Sequence, residues 1–360
     1  MHVAAGAASP DGGSNPAPEP PWPCDPSVAA GEGVTIGNSG ACPGLLPAAV
    51  TCAADLIICS GVGYPTEGGI SGNSAVGATS DGRGSVVLSC HPADAGRPLL
   101  NFLFVPTRSG FLSKAGLGVD VRPLGDGFVV SQGSDALPPP SYDFIAHDGH
   151  LRAGQRGGTL YASAAHAVIV GLTNGGIVAQ SFSAAGAPAA TTSLASFSGD
   201  AGSLMLGGAM NASGATLVIW QVYGDSTATA RWLAADGTPG APFSIAGWTS
   251  SAPDTRALAG GSIAIAAQPP SGVSMRSWRG VIAPGETVER PAPAWLAARG
   301  DFLLLPEGKA MAFGSEILAP DGTVCGTVDL GAPLVGIGLD GTAFAARNQR
   351  SFRIYPQLFR

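Results

Sequence analysis

Charge is scarce in this chain. Only 12% of its 360 residues are Asp, Glu, Lys or Arg, and lysine occurs at two positions, Lys114 and Lys309. The net charge of −7 makes nucleic acid a poor partner, because phosphate-backbone affinity rests on Lys and Arg displacing counterions. Aromatic residues are also few, at 7%, and thirty prolines are scattered among them. That combination argues against an outer-membrane barrel, which needs aromatic girdles and long uninterrupted strands. No run of residues suits a bilayer-spanning helix. The longest charge-free stretch, 157–199, is broken by His166, Asn174, Gln180 and many Gly and Ser residues. With 54 glycines, the composition favours short strands joined by tight turns over long amphipathic helices.

Signatures of bound metals and common catalytic sites are missing as well. No pair of cysteines has the close spacing of a zinc knuckle. The Asp-Gly pairs, such as Asp81-Gly82 and Asp340-Gly341, lack the alternate oxygen ligands of a calcium loop. Gly-rich pieces such as 68–73 lack the Lys and the following helix of a phosphate cradle. Gly224-Asp225-Ser226-Thr227 matches an esterase nucleophile block in letters, but it falls between two expected strands, where a hairpin turn accounts for it. His147-Asp148-Gly149-His150 offers two imidazoles beside a carboxylate, yet no third ligand can be named, and an exposed hairpin explains the run. We therefore expect no metal, no cofactor and no catalytic residue legible in the sequence.

What is present is a repeat. A large apolar residue opens a short strand that ends in a turn built on Gly or Asp-Gly, beginning at Phe104, Phe144, Phe182, Trp232, Val281, Ile317 and Phe352. The starts lie roughly 41 residues apart, the period of one four-stranded blade. A second apolar strand precedes each, as in Gly127-Phe-Val-Val-Ser, Ala167-Val-Ile-Val-Gly and Ala215-Thr-Leu-Val-Ile-Trp. Asp-Gly recurs because a tight hairpin needs residues that tolerate positive φ. The expected fold is all-β: a β-propeller of seven four-stranded blades, with six or eight also compatible with the uneven spacing. The last repeat runs out of chain before its fourth strand. A closed ring leaves no long open edge, so an amino-terminal strand around Leu56-Ile57-Ile58-Cys59-Ser60 should pair with the last blade.

Five of the six cysteines (Cys24, Cys42, Cys52, Cys59 and Cys90) lie in the first quarter, and Cys325 is near the far end. An even count suits disulfides in an oxidising compartment, with reduced buried thiols as the alternative. Fifteen pairings are open, and Cys90 with Cys325 is the expected long-range bridge because it would tie an early blade to a late one. Residues 1–33, rich in Ala, Gly, Ser and Pro, read as a flexible tether, and 34–360 as one propeller domain with a cysteine-rich closing segment at 34–68. Met1 to Ala8 has neither the basic start nor the apolar core of a secretion signal. Tethers of this composition nevertheless follow such signals or lipid anchors, so a lipid anchor through the tether and an extracellular or envelope location are expected.

The repeated strand, Ala-x-Asp-Gly turn and strand, as in Trp232-Leu-Ala-Ala-Asp-Gly and Ile317-Leu-Ala-Pro-Asp-Gly, resembles the secreted or envelope β-propeller repeat proteins of bacteria over about residues 69–360. The resemblance implies a fold and no activity. Propellers collect ligands on the loops around their channel mouth. The longest irregular loops place Tyr223, Asp225, Trp248 and Asp254 as candidate binding residues for a protein or glycan. The expected function is accordingly a non-enzymatic binding module; the alternative is a hydrolase or lyase acting on polysaccharide or peptide, with its site at the channel mouth.

Overall fold

In the computed structural model the described residues are 24–25, 27–57, 74–91, 100–107, 110–117, 120–132, 141–147, 150–173, 175–197, 204–222, 225–246, 254–267, 277–348 and 351–359. Two short strands come first, β1 (Thr35–Asn38) and β2 (Ala54–Ile57). Then follow β3 (Ser74–Ser80), β4 (Val86–His91), β5 (Leu100–Thr107) and β6 (Gly110–Leu117), which form sheet I. Sheet II comprises β7 (Asp120–Leu124), β8 (Gly127–Gln132), β9 (Ser141–Ala146) and β10 (Leu151–Arg156). Sheet III comprises β11 (Thr159–Ala162), β12 (His166–Thr173), β13 (Gly176–Ser183) and β14 (Pro188–Ser196). Sheet IV is β15 (Leu204–Met210), β16 (Thr216–Val222), β17 (Thr227–Leu233) and β18 (Phe243–Ala246). Sheet V is β19 (Thr255–Ala257), β20 (Ile263–Ala266), β21 (Trp278–Ile282) and β22 (Arg290–Pro291), followed by the single-turn helix α1 (Ala294–Ala297).

The two remaining sheets recruit the amino-terminal strands. Sheet VI is β23 (Leu303–Leu304), β24 (Met311–Phe313), β25 (Glu316–Leu318) and β26 (Val324–Asp329), with β1 as a fifth strand against β26. Sheet VII is β27 (Leu334–Ile337), β28 (Ala343–Asn348) and β29 (Ser351–Tyr355), completed by β2. Among the described residues every pairing is antiparallel, and all but those of β1 and β2 join sequence neighbours. The chain is thus an all-β propeller, in which six sheets are four-stranded blades among the described residues.

Burial explains why the second strand of each sheet carries a continuous apolar run. Ala167 and Ile169 of β12 pack toward sheet II with Val129 and Phe144, while Val168 and Val170 pack toward sheet IV with Val218 and Trp220. In β16 the alternation repeats: Val218 and Trp220 face sheet III, and Leu217 and Ile219 face sheet V. Side chains of a strand point alternately to its two faces, and here both faces are covered by neighbouring sheets. Six of the gaps between neighbouring sheets, from I–II round to VI–VII, hold a core of their own among the described residues, as where Phe144 and Phe182 meet with ring centroids 4.7 Å apart. Between sheets V and VI the filling is aromatic, with Phe302 set 5.5 Å from Trp278 and 5.1 Å from Phe313.

The seven motif residues from Phe104 to Phe352 all lie on the third strand of their sheets, β5, β9, β13, β17, β21, β25 and β29. The Asp-Gly turns that follow are hairpins with the expected backbone: Gly237 and Gly322 have φ of 87° and 88°. Asp236 and Asp321 each accept the N–H of the Thr two residues on, at 2.9 Å.

The ends of the chain meet as expected. Leu56 and Ile57 pair with Phe352 and Ser351, although 58–60 lie outside the described residues. The amino-terminal segment does more than close one sheet, because Leu45, Leu46 and Ala53 are buried in the core shared by sheets VI and VII. The expected Cys90–Cys325 bridge is not formed. Cys325 on β26 pairs instead with Cys42, and Cys24 pairs with Cys52. The reason is topological: Cys90 lies on β4 of sheet I, whereas β1, just ahead of Cys42, runs beside β26 and brings Cys42 to Cys325. Cys59 lies outside the described residues. Residues 24–33 were grouped with the tether on composition; Cys24 is bridged, Asp25 N–H donates to Ala53 O at 3.0 Å, and Val28 and Ala30 pack against the shared core.

Candidate functional site

Strand order gives the ring two unlike ends. Connections from first to second strand and from third to fourth strand leave at one end, the turn face. Connections from second to third strand, and from one sheet to the next, leave at the other, the loop face.

On the turn face the innermost turns are stitched to one another across the sheets. Gly82 N–H donates to Gly125 O at 3.2 Å, Gly125 N–H to Ala164 O at 2.6 Å, Gly260 N–H to Gly308 O at 3.2 Å and Leu339 N–H to Ser80 O at 3.1 Å. Asn211 adds a side-chain stitch, Nδ2–H to Gly261 O at 2.8 Å. Glycine is required at several of these turns, since Gly125, Gly260 and Gly308 have φ of 60°, 80° and 67°.

A polar arc runs along this face over sheets VII, I and II. Ser80 Oγ–H donates to Asp340 Oδ1 at 2.5 Å, and Thr342 Oγ1–H donates to Asp340 Oδ2 at 2.9 Å. Asp81 is fully buried; its Oδ1 accepts the N–H groups of Arg83 and Ser85, both at 2.9 Å, while its Oδ2 is buried without a partner. Burial pushes the Asp81 carboxyl up to about 7, with the charges of Asp340 and Asp126 adding to it against the two N–H bonds. Ser85 Oγ–H donates to His147 O at 2.7 Å, and His147 Nδ1 is buried without a partner. Asp126 is bridged by Arg152 at 2.7 Å and Arg83 at 3.2 Å. Against the cost of its burial, the Arg152 hydrogen bond and charge, with Arg83, hold Asp126 below the usual carboxylate range.

This arc was missed in the sequence, where Asp81-Gly82 and Asp340-Gly341 were weighed only as calcium loops. A distinguishing signal exists. Asp81 and Asp340 stand just before a second strand, Val86–His91 and Ala343–Asn348, whereas Asp236 and Asp321 follow a third strand. The former sit at the inner end of the ring and can be buried; the latter are exposed hairpins.

Of the four candidate binding residues, Tyr223 and Trp248 lie outside the described residues. Asp225 is exposed in the β16–β17 connection, where its N–H donates to Val222 O at 3.1 Å and its carbonyl accepts Gln221 Nε2–H. Asp254 is exposed just ahead of β19, and its carbonyl accepts Ala266 N–H at 3.0 Å. Topology places both on the loop face, at the ends of neighbouring sheets IV and V. The turn reading of His147 to His150 is supported by the Ala146 N–H to His150 O bond of 2.9 Å, which closes the β9–β10 hairpin. Among the described residues no group of three or more His, Cys, Asp or Glu side chains could hold a metal ion. No helix among them is long and apolar enough to cross a membrane.

Fold and faces define the chain as a β-propeller module. No protein-family model matches the sequence, and no curated protein matches it. Solved structures do. A prolyl endopeptidase is 12% identical over 76% of this chain with a TM-score of 0.46, and this chain spans 45% of its length. Hydrazine synthase of Kuenenia stuttgartiensis is 12% identical with a TM-score of 0.45, covering 79% of this chain and 96% of its own. TolB from Acinetobacter baumannii is 12% identical with a TM-score of 0.34, covering 73% of this chain and 64% of its own.

Proposed function

We propose that this propeller is a non-enzymatic binding module that takes a protein or glycan ligand on its loop face, outside the cell or in the cell envelope. The supporting observation is the asymmetry of the two ends. Most of the longer connections, 92–99, 133–140, 197–203, 247–254, 267–277 and 292–302, leave from the loop face, while the turn face carries 39–53, 234–242 and 283–289 and is otherwise closed by short turns, several of them hydrogen-bonded to one another. A rigid ring carrying long, varied connections at one end suits recognition, since scaffolds hold still while loops supply contacts. In this reading the ring has seven blades, sheet VI being the one that has gained β1, and a single domain begins near Cys24. The two disulfides support an oxidising compartment. A lipid anchor ahead of Cys24 belongs to the same reading.

Incubating the full chain with glycan and protein arrays tests the proposal. Saturable binding without turnover is expected, weakened at least tenfold when Tyr223, Asp225, Trp248 and Asp254 are replaced together by Ala, with thermal stability unchanged. Turnover of a polysaccharide or peptide by the wild-type chain would replace this reading with that of a hydrolase or lyase.

A further inference from the structure

We propose that Asp81 is a proton-dependent fastener between sheets I and II, donating a hydrogen bond across the joint when its carboxyl is neutral and withdrawing it when ionised. The argument starts from Asn211. Both residues directly follow an innermost strand, β3 for Asp81 and β15 for Asn211. Each donates its backbone N–H to the carbonyl four residues on: Asp81 to Ser85 O at 3.1 Å, Asn211 to Ala215 O at 3.0 Å. In each, Oδ1 accepts the N–H of that same fourth residue, at 2.9 Å in Asp81 and 3.0 Å in Asn211. The two turns are therefore built alike, down to the side-chain oxygen that braces them.

They differ at the other terminal atom. Asn211 Nδ2–H reaches Gly261 O on the turn of the next sheet. Asp81 has Oδ2 in the corresponding place, fully buried and without a partner. The turn of the next sheet offers acceptors: Gly125 O takes the Gly82 N–H and keeps a second lone pair. An ionised carboxylate can only accept, so it has nothing to give such a neighbour; a protonated carboxyl can donate as the amide does.

The surroundings favour the neutral form. Asp340, on the turn of sheet VII, and Asp126, on the turn of sheet II, both act on Asp81 through their charge. Arg83 and Arg152 are both engaged by Asp126, at 3.2 and 2.7 Å. His147 faces the turn from the β9–β10 hairpin through Ser85. A carboxyl raised to about 7 holds its proton in the folded state over a range in which the unfolded chain, near 3.8, has lost it. Stability from this group is therefore greatest at low pH, declines as pH rises from about 4 to 7, and levels off above.

The test compares the full chain with Asp81→Asn, which copies Asn211 chemically. Unfolding equilibria of both are measured at pH 5 and pH 8. The proposal expects the wild-type unfolding constant, relative to that of the variant, to rise roughly 100-fold between the two pH values. Parallel profiles for the two proteins would overturn it. A carboxyl 13C titration of the wild-type chain gives an independent reading should the variant fail to fold: one buried Asp carboxyl titrating near neutrality supports the proposal, and no carboxyl titrating above about pH 5 refutes it.

Discussion

Asp55 on β2 and Arg353 on β29 form a two-pronged ion pair, Nε–H to Oδ1 at 2.7 Å and a terminal N–H to Oδ2 at 2.9 Å, across 298 residues of sequence. Arg347 adds a third contact to Oδ2 at 3.0 Å. The Arg353 hydrogen bond, with its charge and that of Arg347, holds Asp55 below the usual carboxylate range despite partial burial. The pair sits where the amino-terminal strand completes the last sheet, so the ring is closed by backbone pairing and by charge together.

Replacing Asp55 by Ala leaves the nearly buried Arg353 without its partner. We expect a loss on the order of 2 kcal/mol, below the full cost of breaking a buried pair because Asp55 itself is partly exposed. Denaturant unfolding of the variant beside the wild type measures it; a change within 0.5 kcal/mol of zero, roughly what surface substitutions produce, would argue against the closure by charge.

Acid should weaken the same joint. Asp55 and Asp126 have folded values below those of the unfolded chain, so their contribution is present above about pH 4 and is lost as pH falls through the lower folded values. Thermal scans from pH 2 to 5 should show a steep acid limb, and Asp55→Ala should make that limb shallower. An unchanged slope in the variant would mean that Asp55 does not feel Arg353 as the geometry indicates.

The Cys42–Cys325 bridge spans 283 residues and fixes β1 to sheet VI. Loop-closure entropy for so long a span suggests about 2–5 kcal/mol of stabilisation. Replacing both cysteines by Ser should lower the melting temperature, and it should do so more than the same replacement at Cys24 and Cys52, whose separation is 28. Equal effects of the two double variants would show that span length is not what matters here.

Removing everything before Tyr64 takes away β1, β2 and both disulfides at once. It also exposes the core to which Leu45, Leu46 and Ala53 belong. No cooperative unfolding transition is expected at room temperature for this fragment. A fragment that melts like the full chain would show that the ring stands without its amino-terminal strand.

Gly336 on β27 approaches the backbone of Ala78 on β3 so closely that a Cβ there would overlap the Ala78 carbonyl. Gly336→Ala should therefore push sheets VII and I apart and cost about 1–3 kcal/mol, read by chemical denaturation. A neutral result would mean that these two sheets can separate without penalty.

Much of the architecture was legible because each sheet repeats the same demands. A strand such as Ala215-Thr-Leu-Val-Ile-Trp must carry an apolar run from Leu217 to Trp220, since both faces are covered, and the residue that opens each repeat always fell on a third strand. The closing strand at Leu56 was legible for a related reason, as a ring with one incomplete sheet leaves an unpaired edge. The disulfide partner of Cys325 was not, because spacing says nothing about which of several early cysteines a folded segment carries past β26. The turn-face arc escaped for a different reason: Asp-Gly at position 81 and at position 236 read the same, and only the inner or outer place of the turn separates a buried carboxyl from an exposed one.

Local chemistry therefore settled strand, turn and repeat, all of which depend on neighbours within a few residues. Pairings over hundreds of residues, such as Asp55 with Arg353, Cys42 with Cys325 and Gly336 against Ala78, came from folding the ring shut. So did the burial of Asp81. Closure brings together segments whose order in the chain carries no record of their distance in space, and it removes water from groups that a turn alone would leave exposed.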